Sequence, residues 1–188
     1  MKKISAVIIT YNEERNIARC LQSLQGVADE IMVVDSGSTD KTEEICRQLG
    51  VTSFIRHPFE GYVQQKNWAM EQATYSHILS LDADEALSDE LKKSILEVKE
   101  SWTADAYKFN RLTSYCGKWI RHCSWYPDVK LRLWDRRKGR WGGVNPHDKM
   151  VMERDASVIH LKGDLLHYSY HNVSDYILQV NKFTEIGA

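Results

Sequence analysis

Two hydrophobic rhythms divide the chain. Through the first hundred residues, short apolar runs alternate with stretches in which apolar residues recur every three or four positions. The runs read as buried strands and the stretches as helices with one inward face. The pattern predicts strands at Ile4–Ile9, Glu30–Asp35, Val51–Ile55 and His77–Leu81. It predicts a helix over Glu14–Gln25, with Ile17, Leu21 and Leu24 inward and Gly26 as its stop. A second runs from about Lys41 to Leu49, capped by Ser38 or Thr39 and ended by Gly50. Helices at Tyr62–Ala73 and Ser88–Lys99 follow, the last with Leu91, Ile95 and Val98 inward. Strand–helix alternation with short links implies an α/β fold, a mostly parallel central sheet flanked by helices.

After Trp102 the texture changes. Ala106–Ser114 and Val129–Trp134 read as strands, then Val158–Leu161 and Leu165–Tyr168, then a final helix from Ser174. The links between them are rich in Gly, Trp and Arg. At 188 residues, one domain with two halves is expected: a nucleotide-type half over 1–100 and an irregular half over 101–188. The last helix runs to Gly187 with no closing segment, which reads as a chain truncated at its C-terminus.

Composition adds modest limits. With 43% apolar residues, 27% charged residues and a net charge of −1, the chain reads as soluble. No apolar stretch approaches the roughly 20 residues that span a bilayer. The run Ile4–Ile9 is too short for a signal peptide and leads into charge, so a cytoplasmic location is expected. Cys20, Cys46, Cys116 and Cys123 show no C-x-x-C spacing and are expected as free thiols, the first two inside helix faces.

The polar positions that interrupt the pattern carry the chemistry. In ILSLDADEALSDE, a strand runs straight into Asp82, Asp84 and Glu85. Two like charges about 4 Å apart repel by roughly 4 kcal/mol at an effective dielectric near 20. Such a cluster is therefore splayed into water or built around a cation. An acidic turn before a helix accounts for Asp89 and Glu90, with Ser88 as N-cap, but not for Asp82 and Asp84. Those oxygen ligands suit Mg²⁺ or Mn²⁺. Three predicted strand ends carry polar residues: TYNEE after Ile9, DSGSTD after Val34 and DADE after Leu81. In an open parallel sheet, ligands bind beyond these carboxyl ends. Neither G-x-G-x-x-G nor G-x-x-x-x-G-K-[ST] is present, so phosphates would be held through a metal on acidic residues, as in sugar–nucleotide chemistry.

Taken in order, TYNEERNIARCLQSL, VVDSGSTDKT, QQKNWAM and LSLDADE resemble family 2 glycosyltransferases with the GT-A fold, in particular the subgroup that makes lipopolysaccharide core linkages. The resemblance covers nearly the whole chain. It implies that Thr10–Glu13 lies along the nucleotide, with Tyr11 against the base and Glu13 near the ribose. Asp35 would meet the base edge, and Ser36–Asp40 would shape that pocket. Lys66 and Asn67 would face the nucleotide, Lys66 the diphosphate. Within the Asp82-Ala83-Asp84 motif, Asp82 would meet the ribose or donor sugar and Asp84 would ligate the metal.

An inverting transfer also needs a base near the acceptor hydroxyl. Asp148, in VNPHDKM, is the candidate; the resembling subgroup usually has His-Glu there, so the arm is one methylene shorter. His147 would orient that loop or fill a turn after Pro146, and His167 would be a further metal ligand or a structural residue. Lys118–Arg140 holds eight Lys or Arg against two Asp, with Trp119, Trp125 and Trp134 inside it and Trp141 just after. A net charge of −1 disfavours nucleic acid, so the patch is expected to meet an anionic glycan or lipid-linked acceptor near the inner membrane's cytoplasmic face. The plainer alternative puts Trp134 and Leu131 in the core, with Lys130 and Arg132 in solvent.

The expected function is an inverting, metal-dependent transfer of a hexose from a nucleotide diphosphate sugar, a UDP-sugar first, to a bacterial glycan such as lipopolysaccharide core. The alternatives are a metal-dependent phosphohydrolase using His147, Asp148 and His167, and a non-catalytic carbohydrate-binding domain.

Overall fold

A computed structural model describes residues 1–145 and 147–187 of the chain. The turn expected at Pro146 lies outside the described residues.

Strand β1 (Ile4–Thr10) shows how the core is assembled. Successive side chains of a strand point to opposite faces. Ile4, Ala6 and Ile8 enter one core with α1 (Ile17–Leu24) and α4 (Asp89–Glu100), while Val7 and Ile9 enter another with α3 (Tyr62–Gln72). Parallel to β1 lie β2 (Glu30–Asp35) and β4 (His77–Asp82), and β3 (Ser53–Arg56) lies parallel to β2. The first-half elements stand within about three residues of their expected bounds.

The helix ends differ in detail. Ser88 caps α4, its side chain accepting from the Leu91 amide. Neither Ser38 nor Thr39 caps α2 (Thr42–Gln48); Lys41 stands at its N-cap without a side-chain bond, and Asp40 before it accepts from the amide and hydroxyl of Thr42. Ser38 and Thr39 are instead spent on joining two loops, as described below.

The second half continues the same sheet but reverses direction. The strand order is β3-β2-β1-β4-β8-β6-β11-β5, with β7 (Lys118–Trp119) on β6. Here β5 is Glu85–Leu87, β6 Ala106–Tyr115, β8 Asp128–Asp135 and β11 Val158–Tyr170. β8 runs antiparallel to both β4 and β6, and β11 runs parallel to β6. The two strands expected between Val158 and Tyr168 are this single β11, irregular between His160 and Asp164. Gly163 lies in that irregular stretch with φ +91°, and a Cβ there would collide with the backbone of Leu91. Glycine therefore lets β11 pass the start of α4.

The pairing of β8 with β6 contains a bulge: Tyr107 faces Leu133, but Lys108 faces Leu131, leaving Arg132 as the extra residue. Leu131 and Leu133 consequently join opposite cores, against strict alternation. A separate ribbon of β9 (Gly139–Val144) and β10 (His147–Met152) stands over α3. Helix α5 (Val173–Gly187) ends the chain. Cys20 and Cys46 are buried; Cys116 and Cys123 are exposed, and all four are free thiols. Among the described residues, no helix is long and apolar enough to cross a membrane.

Candidate active site

The parallel strands end together, and their loops are stitched into one wall. Asn12, in the left-handed region at φ 54°, donates its amide to Ser38 Oγ at 2.8 Å and accepts from the Thr39 amide at 2.9 Å. The Glu13 amide donates to Thr42 Oγ1, and the Glu14 amide to Asp40. Tyr11 projects from this wall, 58% exposed, its ring available for stacking. Thr10 is buried, and its hydroxyl has no hydrogen-bond partner among the described residues. Glu13 is half-buried and accepts from Asn16 Nδ2. Burial, reinforced by the charge of Asp84, pushes its carboxyl up to about 7.

Asp35 is placed differently from expectation. It is fully buried, and its carboxylate accepts from the amides of Gly37 and Ser38 and from the Ser38 hydroxyl. Its part is to fix the loop, since no free edge of the carboxylate reaches outward. Ser36 is held in the same way, its Oγ accepting from Gln65 Nε2 at 3.1 Å.

The acidic strand end is built around cations, and these cations belong to the protein. Asp82 Oδ1 lies 2.9 Å from Lys66 Nζ, and Oδ2 lies 2.8 Å from Arg132 Nη2. Glu85 is buried beneath, accepting from the Asp82 amide and from Arg132 Nη2 at 3.1 Å, with Arg111 Nη1 at 3.5 Å. Arg132 is only 4% exposed, which overturns its expected place in solvent. Its Nε and Nη1 have no hydrogen-bond partner among the described residues; the guanidinium lies over Trp141, 5.3 Å from the ring centroid. Burial works against ionising Asp82, but Arg132 and Lys66 outweigh it and hold the carboxyl far below its usual range. Each attraction across about 3 Å exceeds the roughly 4 kcal/mol of like-charge repulsion at about 4 Å, at the same effective dielectric. The bulge in β8 makes this possible by turning Arg132 into the site.

Lys66 also joins the two halves of the molecule. The same Nζ lies 2.9 Å from Asp148 Oδ2 on β10, so the candidate base stands beside Asp82. Asp148 Oδ1 accepts no hydrogen bond from the described residues. Asn67 does not face this space, contrary to expectation. Its amide is spent on β9, donating to the Trp141 carbonyl and accepting from the Trp141 amide, both at 2.9 Å. It pins the ribbon that carries Asp148. His147 is exposed on that ribbon.

Ala83 is buried, and Asp84, in the turn after β4, pairs with a residue of β11. Asp84 Oδ2 lies 3.1 Å from His167 Nε2, and the other ring nitrogen, Nδ1, lies 3.2 Å from Thr113 Oγ1. Burial disfavours the charge of Asp84, but His167 more than compensates and lowers its pKa. The Tyr168 amide donates to the Asp84 carbonyl, fixing β11 against the motif. Asp84 and His167 are thus two adjacent ligand-type groups without a Lys or Arg between them. Among the described residues, no group of three or more His, Cys, Asp or Glu is placed to hold a metal ion. A Mg²⁺ or Mn²⁺ ion commonly takes one or two protein ligands and completes its shell with phosphate oxygens and water, and this donor pair fits that usage.

Arg132, Glu85 and Arg111 were missed as site residues. Local sequence carried no signal for Arg132, because its inward turn depends on the bulge at that residue of β8.

The family model described as Glycosyl transferase family 2 matches residues 5–157. An uncharacterized glycosyltransferase of Rickettsia conorii is 43% identical over 97% of this chain and 68% of its own length. The lipopolysaccharide core biosynthesis glycosyltransferase LpsC of Rhizobium meliloti is 30% identical over 98% of this chain and 70% of its own length. The chain spans 66% of the length of an uncharacterized glycosyltransferase of Rickettsia typhi, with which it is 33% identical over 98% of its own length. Among solved structures, S. aureus TarS 1-349 superimposes with a TM-score of 0.61 at 17% identity, over 98% of this chain and 65% of that one. At that identity the likeness concerns the fold alone.

Proposed function

The chain belongs to glycosyl transferase family 2, with the GT-A fold, and from that premise we propose that it moves a hexose from a UDP-sugar to a bacterial glycan with inversion. Lipopolysaccharide core, or a lipid-linked saccharide at the cytoplasmic face of the inner membrane, is the proposed acceptor; the likeness to LpsC supports that choice. The observation that carries the reading is that Lys66 holds together Asp82, at the end of β4, and Asp148, on the β9–β10 ribbon, with Asp84 two residues beyond Asp82.

Residues 1–100 form the donor half in this reading, and 101–188 the acceptor half. Tyr11 stacks on the base, Thr10 and Glu13 line the ribose side, and Asp35 and Ser36 keep the pocket's shape. Asp82, held by two cations, accepts from donor hydroxyls. A divalent ion on Asp84 and His167 would neutralise the charge developing on the diphosphate leaving group. Asp148 takes the acceptor hydroxyl's proton as the new bond to the anomeric carbon forms and the bond to the diphosphate oxygen breaks. Lys66 keeps Asp148 aimed, Nζ lying 2.9 Å from its Oδ2. The phosphohydrolase alternative needs several metal ligands converging from separate loops, and the described residues bring no three together.

Calorimetric titration of UDP, GDP and CDP, with and without Mn²⁺, tests the donor site. UDP binding that strengthens with Mn²⁺ and loses that gain in Asp84→Asn is expected. Absence of nucleotide binding under any metal would sink the assignment.

A further inference from the structure

Beside His167 lies a cleft of about 230 Å³. Its wall includes Arg111, Thr113, Trp125, Asp128, His167 and Tyr170. We propose that this cleft binds one uncharged pyranose ring of the acceptor, stacked on Trp125, and that it discriminates against phosphorylated sugars. The proposal rests on the transferase reading for the word acceptor, but its ligand class follows from the cleft itself.

Charge decides the class. A basic segment of sequence led to an expectation of anionic acceptors, yet the cations that reach this wall are already matched. Arg111 contacts Asp128 twice, through Nε at 2.9 Å and Nη2 at 2.7 Å, and approaches Glu85 with Nη1. Lys130 reaches the other oxygen of Asp128 at 2.9 Å, and His167 is committed to Asp84. Among the side chains of this wall no cation lacks a carboxylate partner, and a phosphate entering here would face the charge of Asp128. Sugar hydroxyls both donate and accept, so they can add to an existing Arg–Asp pair without breaking it.

Shape and surface agree. Trp125 is half-buried, braced edge-on by Tyr115 and Tyr170 at centroid distances of 6.0 and 6.1 Å, which leaves its ring fixed rather than free to collapse. A fixed aromatic plane packs against the C–H face of a pyranose at small entropic cost. The cleft volume suits a single ring. His167 joins the cleft to Asp84, so an occupant lies next to the donor-side acid.

Saturation-transfer NMR tests this with defined probes: the methyl glycosides of glucose, galactose and mannose, and the 6-phosphates of the same sugars. At least one neutral glycoside is expected to receive saturation at its ring C–H protons. Binding should weaken at least roughly tenfold in Trp125→Ala, near the low end of what a stacked ring is worth, and survive in Trp125→Phe. The 6-phosphates should bind more weakly than their neutral counterparts, with the gap narrowing in Asp128→Asn. A response from none of the neutral glycosides, phosphates binding as well or better, indifference to Trp125→Ala, or a gap unchanged in Asp128→Asn would each overturn the proposal. UDP titrated into the same samples separates the two readings. UDP binding without glycoside binding sinks the cleft alone, and glycoside binding without UDP binding sinks the transferase reading alone.

Discussion

The loops of residues 1–100 and the strands of 101–188 handle charge in opposite ways. In the first half, polar side chains satisfy neighbours in their own or the adjoining loop: Asp35 binds its own turn, Asp40 accepts from Thr42 two residues on, and Asn12 ties to Thr39. In the second half, Arg111, Arg132 and Asp148 find partners on elements of the first half, at Glu85 on β5, Asp82 on β4 and Lys66 on α3. Local satisfaction makes a rigid platform. Distant pairing makes the site depend on the two halves being assembled correctly.

The largest effect should come from cutting that dependence. Arg132→Leu leaves Glu85 buried without its main counter-charge, a loss of about 3–5 kcal/mol when one partner of a buried pair is removed. Denaturant unfolding would read it. A change below about 1 kcal/mol, the range of exposed pairs, would erase the contrast drawn here.

A smaller effect is expected from Glu13, where the platform meets the acidic strand end. Its pKa is raised to about 7 from an ordinary 4.5, mainly by burial and then by Asp84. The folded state therefore binds the proton more tightly than the unfolded chain. That contribution is complete below about pH 4.5 and disappears as the pH rises through about 7. Metal-free protein should lose on the order of 3 kcal/mol across this window from Glu13 alone. Glu13→Gln should flatten the pH dependence of unfolding; identical profiles for variant and parent would refute the assignment.

Asn67→Ala gives the mildest and most selective test. It frees β9 from α3 by removing two hydrogen bonds to the Trp141 backbone, with an expected cost of about 1–3 kcal/mol. Because the ribbon carries Asp148 and not the nucleotide wall, UDP binding should persist while sugar transfer falls. Equal loss of both would mean that Asn67 serves the nucleotide directly.

Legibility followed the same division. β1, β2 and β4 and the helices between them were readable because each is specified by local periodicity, and Ser88 was readable as a cap because capping spans three residues. Asp82 and Asp84 could be singled out as acids at an expected strand end, and Asp148 as the candidate for the base an inverting transfer needs. Their partners could not. The role of Arg132 depends on a bulge in the register of β8 against β6, and that of Asn67 on a ribbon arriving 74 residues later. The expectation for Asp35 missed because donors within its own turn consume its carboxylate.

The sequence by itself determined the alternating elements, the sheet edge on which the acids emerge and the family to which the chain belongs. Tertiary structure alone decided which cations neutralise those acids, that Lys66 bridges Asp82 and Asp148, and that the aromatic cleft beside His167 carries little net charge. The physical reason is range. Periodicity and capping act over a few residues, whereas an ion pair requires two side chains to meet within about 3 Å, a condition set by strand order and register.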